Sequence, residues 1–157
     1  LDEGMQSLAE VIKKTTGKDI TNYPGAGAAG GMGGGLLAFF NAELKPGTEL
    51  LLKAIDFSEK IKGADLIITG EGKADRQTAM GKVPYGILKE AQKEHIPVIV
   101  LAGNIENLPE LNKAGFKGIF SIAPGPITLE KAMEPEFAKE NITRLVSQLY
   151  SVITSFG

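Results

Sequence analysis

An α/β fold with a parallel sheet is predicted for residues beyond about 63 by three observations: three short apolar runs, the helical patterns between them, and the Gly or Pro that follows each run. The runs, 64–69, 97–101 and 118–122, are rich in Ile, Val and Leu with little polar alternation, as expected of strands buried on both faces. Helical periodicity over 83–94 and 108–114 supplies the connections, and the order β-α-β-α-β argues for parallel strands joined by right-handed crossovers. Ligands of such sheets bind beyond the carboxyl ends of the strands. Here those ends read Thr69-Gly-Glu-Gly, Ala102-Gly-Asn and Ala123-Pro-Gly-Pro.

The remaining elements follow in chain order. Apolar residues at Leu1, Met5, Leu8, Ala9 and Ile12 predict a helix over 1–14 that buries one face and ends at Gly17. Residues 25–35 are Gly-rich, so the backbone there can reach left-handed angles and approach a ligand or another segment closely. A helix over 36–41 continues from them. Two short helices, 49–54 and 57–61, are expected to turn Leu50, Leu51, Ile55 and Ile61 inward. A final helix over 136–153 is expected to pack with Phe137, Ile142, Leu145, Val146, Leu149 and Ile153. The change of character near 45–62 divides the chain into 1–50 and 51–157.

Composition narrows the function. With a formal net charge of -2 and no basic run longer than a Lys pair, the chain offers no electrostatic footprint for nucleic acid or an anionic membrane, and a small-molecule partner is expected. No Cys is present, which removes disulfides and Cys-based metal or nucleophilic sites and permits a reducing compartment. The longest apolar stretches, 36–40 and 96–102, fall far short of the ~20 residues of a membrane-spanning helix. Residue 1 is Leu rather than an initiator Met, and the sequence reads as a portion of a longer chain.

Two segments could carry chemistry. Gly25-Ala-Gly27-Ala-Ala-Gly30 has the spacing of a dinucleotide fingerprint, which has force only after a buried strand. Residues 19–24 make a poor strand, and no acidic residue follows on a second strand to hold a ribose. A hinge, close helix packing, or contact with an anion through backbone N–H groups all remain open. Gly27 and Gly30 are expected to tolerate no side chain if their φ is positive.

The second segment, 69–84, places Glu71, Lys73, Asp75, Arg76, Gln77 and Lys82 just past a predicted strand. Phosphoryl transfer needs cations for the moving oxyanion, a carboxylate for Mg²⁺ or the hydroxyl proton, and close backbone approach. This stretch has each of them, although a charged surface loop would have the same composition. It is not a P-loop, because Arg76 replaces the first Gly and Val83 the Ser or Thr beside Gly81-Lys82. Asn104 stands on the ligand side, either orienting a substrate or capping the next helix. His95, Lys13, Lys14, Lys60 and Lys62 read as surface residues.

The segments Pro24-Gly-Ala-Gly-Ala-Ala-Gly-Gly-Met-Gly and Thr69-Gly-Glu-Gly-Lys-Ala-Asp-Arg-Gln-Thr-Ala-Met-Gly-Lys-Val-Pro, in this order, resemble the type 1 glycerate kinase family along essentially the whole chain. The resemblance implies a cytoplasmic enzyme that moves the γ-phosphoryl group of ATP onto glycerate with Mg²⁺. It implies a Rossmann-like domain, to which residues 51–157 belong, with a second α/β domain inserted into it, to which the Gly-rich residues 1–50 belong. It also implies missing amino-terminal motifs of the kind DSFKG and DGGEGT, so the fragment alone is expected to be inactive. Site residues carried over are Thr69, Gly70, Glu71, Gly72, Asp75, Gln77 and Lys82. Lys73 stands where the family often has Arg. On this reading Asp75, Lys82 and Glu71 are the catalytic candidates, with Asp75 also the metal ligand. Thr69, Gly70, Gly72, Lys73, Arg76, Gln77, Asn104, Gly25, Gly27 and Gly30 contact substrate or nucleotide, and a homodimer is left open. The rival readings are a Gly-rich nucleotide-binding oxidoreductase domain and a non-catalytic interaction domain.

Overall fold

A computed structural model describes residues 2–106 and 108–155, so Leu1, expected on the buried face of the first helix, lies outside the described residues. The chain divides into two compact units, Leu1–Pro46 and Gly47–Gly157.

The first unit is built from two helices, α1 (Asp2–Thr16) and α2 (Ala28–Phe40). Ala9 and Ile12 on α1 pack with Ile20 and Ala38 in a small apolar cluster. Gly17, at φ 72°, ends α1, its N–H donating to the Lys13 carbonyl at 3.0 Å. The Lys18 ammonium reaches across to the Leu37 and Ala38 carbonyls at 3.3 and 3.0 Å, placing a cation at the negative end of α2. The start of α2 is kinked: Ala29, Gly30 and Gly31 have φ of 51°, 69° and 95°, and regular α-helical geometry resumes after them.

Two further glycines are dictated by contact rather than by angle. A Cβ on Gly33 would lie 2.4 Å from the Gly25 carbonyl oxygen, and one on Gly34 would lie 2.7 Å from Ile20 Cδ1. The chain at 25–26 is seated directly on α2, and the Gly34 N–H donates to the Ala26 carbonyl at 2.8 Å. Gly27 differs from the expectation. Its φ is -76°, and the nearest atom to an added Cβ is the Met5 sulfur at 3.9 Å.

The second unit contains a three-stranded sheet in the order β1 (Ile67–Ala74), β2 (Val98–Ile105), β3 (Gly118–Ser121), parallel throughout. Helices α5 (Val83–Lys93) and α6 (Leu108–Ala114) form the crossovers. Val98, Val100 and Ala102 of β2 meet Leu88 and Ala91 of α5 and Leu111 of α6, with Ile61 and Phe116 completing the core. Burying each larger aliphatic side chain stabilises the fold by about 1.5–3 kcal/mol. Pro84 sits in the first turn of α5, where its missing N–H costs no helical hydrogen bond.

The structure departs from expectation in instructive places. Strand β1 does not stop at Thr69 but runs on to Ala74, and it lies at the edge of the sheet, leaving Ile68 exposed instead of buried on both faces. In α3 (Gly47–Ala54) the buried residue is Leu52, while Leu50, Leu51 and Ile55 are exposed. A rotation of about 100°, one residue around the helix, separates Leu51 from Leu52, and α3 is set by its contact with α5, where Thr48 lies over Gly86. Between them, α4 (Phe57–Lys60) is a single turn. After β3 a short helix not foreseen, α7 (Leu129–Ala132), precedes α8 (Pro135–Thr154). On α8, Ile142 and Ile153 are exposed, and the buried residue is Asn141, whose amide donates to the Phe137 carbonyl at 2.8 Å. Phe137, Leu145, Val146 and Leu149 are half-buried. His95 is exposed at the turn before β2, at the amino end of the sheet.

These contacts predict opposite outcomes for two nearby alanines. Gly33→Ala gains about 1 kcal/mol of helix propensity, but overpacking against a backbone carbonyl costs about 1–3 kcal/mol. The thermal midpoint should therefore fall for Gly33→Ala and hold within a degree or two for Gly27→Ala. Equal midpoints for the two variants would refute the packing described for α2.

Candidate active site

The second half of β1 carries the motif residues, and its pairing with β2 explains why they are strand and not loop. The ladder continues through Glu71↔Ala102 and Lys73↔Asn104 to Ala74↔Ile105. At this level the two strands carry Gly72 and Gly103, and a Cβ on Gly103 would sit 2.8 Å from the Gly72 carbonyl oxygen. Glycine keeps the strands in register where a side chain would push them apart. The buried Thr69 and the backbone of Gly70 lie one step earlier along β1.

The chain then turns through a 3₁₀ segment, Arg76–Met80, capped by Asp75. The Asp75 Oδ1 accepts from the Gln77 N–H at 2.9 Å, and the Thr78 hydroxyl accepts from the Asp75 N–H at 3.0 Å, a reciprocal capping box. Thr78 is fully buried, and its hydroxyl donates to Glu71 Oε2 at 2.6 Å. Lys82 follows as the N-cap of α5. Its Nζ lies 3.1 Å from Glu71 Oε1 and 3.4 Å from Asp75 Oδ1.

One cation is thus held between two carboxylates at the carboxyl end of a parallel strand. The carboxylates are only 15% and 20% exposed, for Glu71 and Asp75 respectively; among the other ion pairs of the described residues only Glu90, at 22%, is comparably covered. Partial burial pushes the Asp75 carboxyl up. The Gln77 N–H, the Lys82 charge and hydrogen bond, and the Thr78 N–H outweigh that and hold it below the usual aspartate value. The hydrogen bond to Glu71 raises the Lys82 ammonium above its usual value against the opposing effect of burial, aided by the charges of Glu71 and Asp75.

The other candidates are distributed around this group. Lys73 pairs with Glu106 at 2.9 Å, both about half exposed. Asn104 is in β2 beside Lys73, so it caps no helix; its side chain is exposed and has no hydrogen-bond partner among the described residues. The Arg76 and Gln77 side chains are exposed on the 3₁₀ turn. Gly25, Gly27 and Gly30 belong to the first unit. Sequence reasoning missed Thr78, although Asp75 and Thr78 have the three-residue spacing of a capping box.

Among the described residues, no three His, Cys, Asp or Glu side chains converge to hold a metal ion by themselves. Mg²⁺ asks for less, commonly one or two carboxylates together with substrate phosphates and water. The donor set fits that requirement: two partly buried carboxylates, Glu71 and Asp75, stand together around Lys82 at the carboxyl end of β1. No helix among the described residues is long and apolar enough to cross a membrane.

Comparison with known proteins agrees with the motifs. Residues 1–154 match the glycerate kinase family. The chain is 41% identical over 153 residues to the glycerate kinase of Bacillus cereus (strain ATCC 10987 / NRS 248), covering 97% of this chain and 40% of that protein. It is 42% identical over 145 residues to the glycerate 2-kinase of Escherichia coli (strain K12), covering 92% and 38%. A crystal structure assigned to glycerate kinase 2 of Salmonella typhimurium LT2 superposes with a TM-score of 0.68 at 33% identity, over 96% of this chain and 37% of that one. The chain therefore spans well under half the length of the relatives it matches.

The electrostatics predict a measurable coupling. The Asp75 carboxyl is depressed in the folded chain, so its contribution to stability is complete above the ordinary aspartate range, near 3.9. It is lost as pH falls through the lower folded value. Lys82→Met removes one cause of that depression. The Asp75 carboxyl pKa, followed by ¹³C NMR titration, should rise in the variant; an unchanged titration would show that Lys82 does not act on Asp75.

Proposed function

Because the chain belongs to the glycerate kinase family, we propose that it forms the carboxyl-terminal part of an enzyme that moves the γ-phosphoryl group of ATP onto a hydroxyl of glycerate. The observation that carries this reading is the Lys82 ammonium between Glu71 and Asp75 at the carboxyl end of β1. In the reaction a glycerate hydroxyl oxygen bonds to the γ-phosphorus while the bond from that phosphorus to the β,γ-bridging oxygen breaks. ADP leaves, and the hydroxyl proton passes to a carboxylate. Positioning and charge compensation supply most of the rate in such a transfer.

Lys82 neutralises the transferring phosphoryl group, and its raised proton affinity keeps it charged through the neutral range. Asp75 presents its carboxylate either to Mg²⁺ or to the hydroxyl proton. Mg²⁺, when bound there, offsets phosphate charge. Glu71 is the second carboxylate available for either role, held in place by the Thr78 hydroxyl. Thr69, Gly70 and Gly72 let the backbone come close to the ligand, while Lys73, Arg76, Gln77 and Asn104 contact nucleotide or substrate. The Gly-rich first unit belongs to an inserted second domain, with Gly25 and Gly30 serving as hinge or approach points; their φ of 87° and 69° supports that use. The enzyme works in the cytoplasm, and residues 1–157 alone do not turn over.

As surface decoration, an exposed acid–lysine pair is worth about 0–1 kcal/mol and could be removed at little cost. Placed in a chain of the relatives' full length, Asp75→Asn should instead lower kcat by a factor on the order of 10²–10⁴ with the fold intact. Lys82→Met should raise the KM for ATP and slow transfer. Normal kinetics in Asp75→Asn with a collapse in Glu71→Gln would move the carboxylate role to Glu71, and normal kinetics in both would remove this cluster from the chemistry.

A further inference from the structure

A cleft of ≈ 920 Å³ opens beyond the carboxyl ends of all three strands, between Lys73 and Asn104 on one side and the loop 122–128 with α7 on the other. Its two walls differ in chemistry. The strand side offers the Glu71 carboxylate, the Lys73 ammonium and the unpartnered Asn104 amide, and the far side offers Ile127, Leu129, Ala132 and Met133. Among the described residues Leu129 and Met133 are 76% and 72% exposed, adjacent apolar side chains on the lip of the cleft. Thr128 caps α7 through the Lys131 N–H and so fixes which way these residues face, while Pro126 limits the freedom of the loop.

We propose that this cleft seats the nucleoside of the phosphoryl donor, its base against Leu129, Met133 and Ile127 and its phosphates directed past Lys73 toward Lys82. The inference rests on the kinase reading above and adds where the donor lies. Size favours it: cofactor-sized ligands occupy roughly 300–1,000 Å³, far more than a three-carbon acid would fill. Chemistry favours it too, since a flat aromatic base gains from apolar contact and from the polarizable Met133 sulfur. Glu71 lines the cleft and also binds Lys82, so the base wall and the proposed transfer group are continuous. Lys73 is available to phosphate because its present pairing with Glu106 is solvent-exposed, and such pairs hold weakly.

The test measures binding of mant-ATP with Mg²⁺ to the chain at the relatives' full length, by fluorescence titration, with inorganic tripolyphosphate as competitor. Leu129→Asp and Met133→Asp change side chains outside the core cluster of the second unit, and an unchanged thermal midpoint of each full-length variant checks that the fold is kept. Each should weaken mant-ATP binding at least about tenfold, with tripolyphosphate affinity and the KM for glycerate unchanged. Wild-type mant-ATP affinity in both variants, or an equal loss of tripolyphosphate binding, overturns the cleft assignment while a wild type that binds nucleotide and phosphorylates glycerate leaves the kinase reading standing. A wild type that binds no nucleotide overturns both.

Discussion

Everything in the second unit that could touch a ligand depends on how far β1 stays paired with β2. The parallel ladder does not end where the apolar residues end; it runs on through Gly70 and Gly72 to Ala74. That extension makes Glu71 a strand residue with a fixed direction, brings Lys73 level with Asn104, and delivers the chain to Asp75 already positioned to cap the following turn. A ladder released at Thr69 would leave the two carboxylates on a mobile loop, and Lys82 could not hold both at once. The close approach of Gly103 to the Gly72 carbonyl is what the extension requires sterically.

The ion cluster then ties two elements that pairing alone would not. Lys82 begins α5, whereas Glu71 and Asp75 belong to β1 and its turn, so the ammonium is a strut between strand end and helix start. Thr78, buried beneath them, joins the same network through one donated and one accepted hydrogen bond. A hydroxyl in that position satisfies the Asp75 N–H and a Glu71 oxygen together, which a valine of equal volume could not.

Much of this was legible in sequence, for identifiable reasons. The strands and crossovers announced themselves because Val98, Val100, Leu88 and Leu111 form a continuous apolar core, and burial of that kind leaves a periodic trace. The motif residues were visible by charge and spacing, whereas Thr78 was missed although it stands three residues after Asp75. Hidden from sequence was the continuation of β1, since glycine has poor strand propensity and only its partner strand reveals why it is there. The face of α3 was misjudged for a related reason: Leu50, Leu51 and Leu52 are chemically alike, and only contact with α5 selects Leu52. Among the glycines of the first unit, those that accommodate neighbouring atoms, Gly33 and Gly34, cannot be told from their neighbours until the 25–26 segment is seen resting on the helix.

The position of β1 at the rim of the sheet has a consequence for handling the molecule. Among the described residues one side of its backbone is unpaired along the sheet, and in residues 1–157 such an edge is a template on which another copy can add a strand. What discourages this is charge borne by the strand itself, and β1 carries Glu71 and Lys73. The groups read as chemically active therefore also act as gatekeepers against self-association. A neutralised Glu71 or Lys73 leaves the rim of residues 1–157 less protected, and light scattering across a dilution series reads the self-association that would follow.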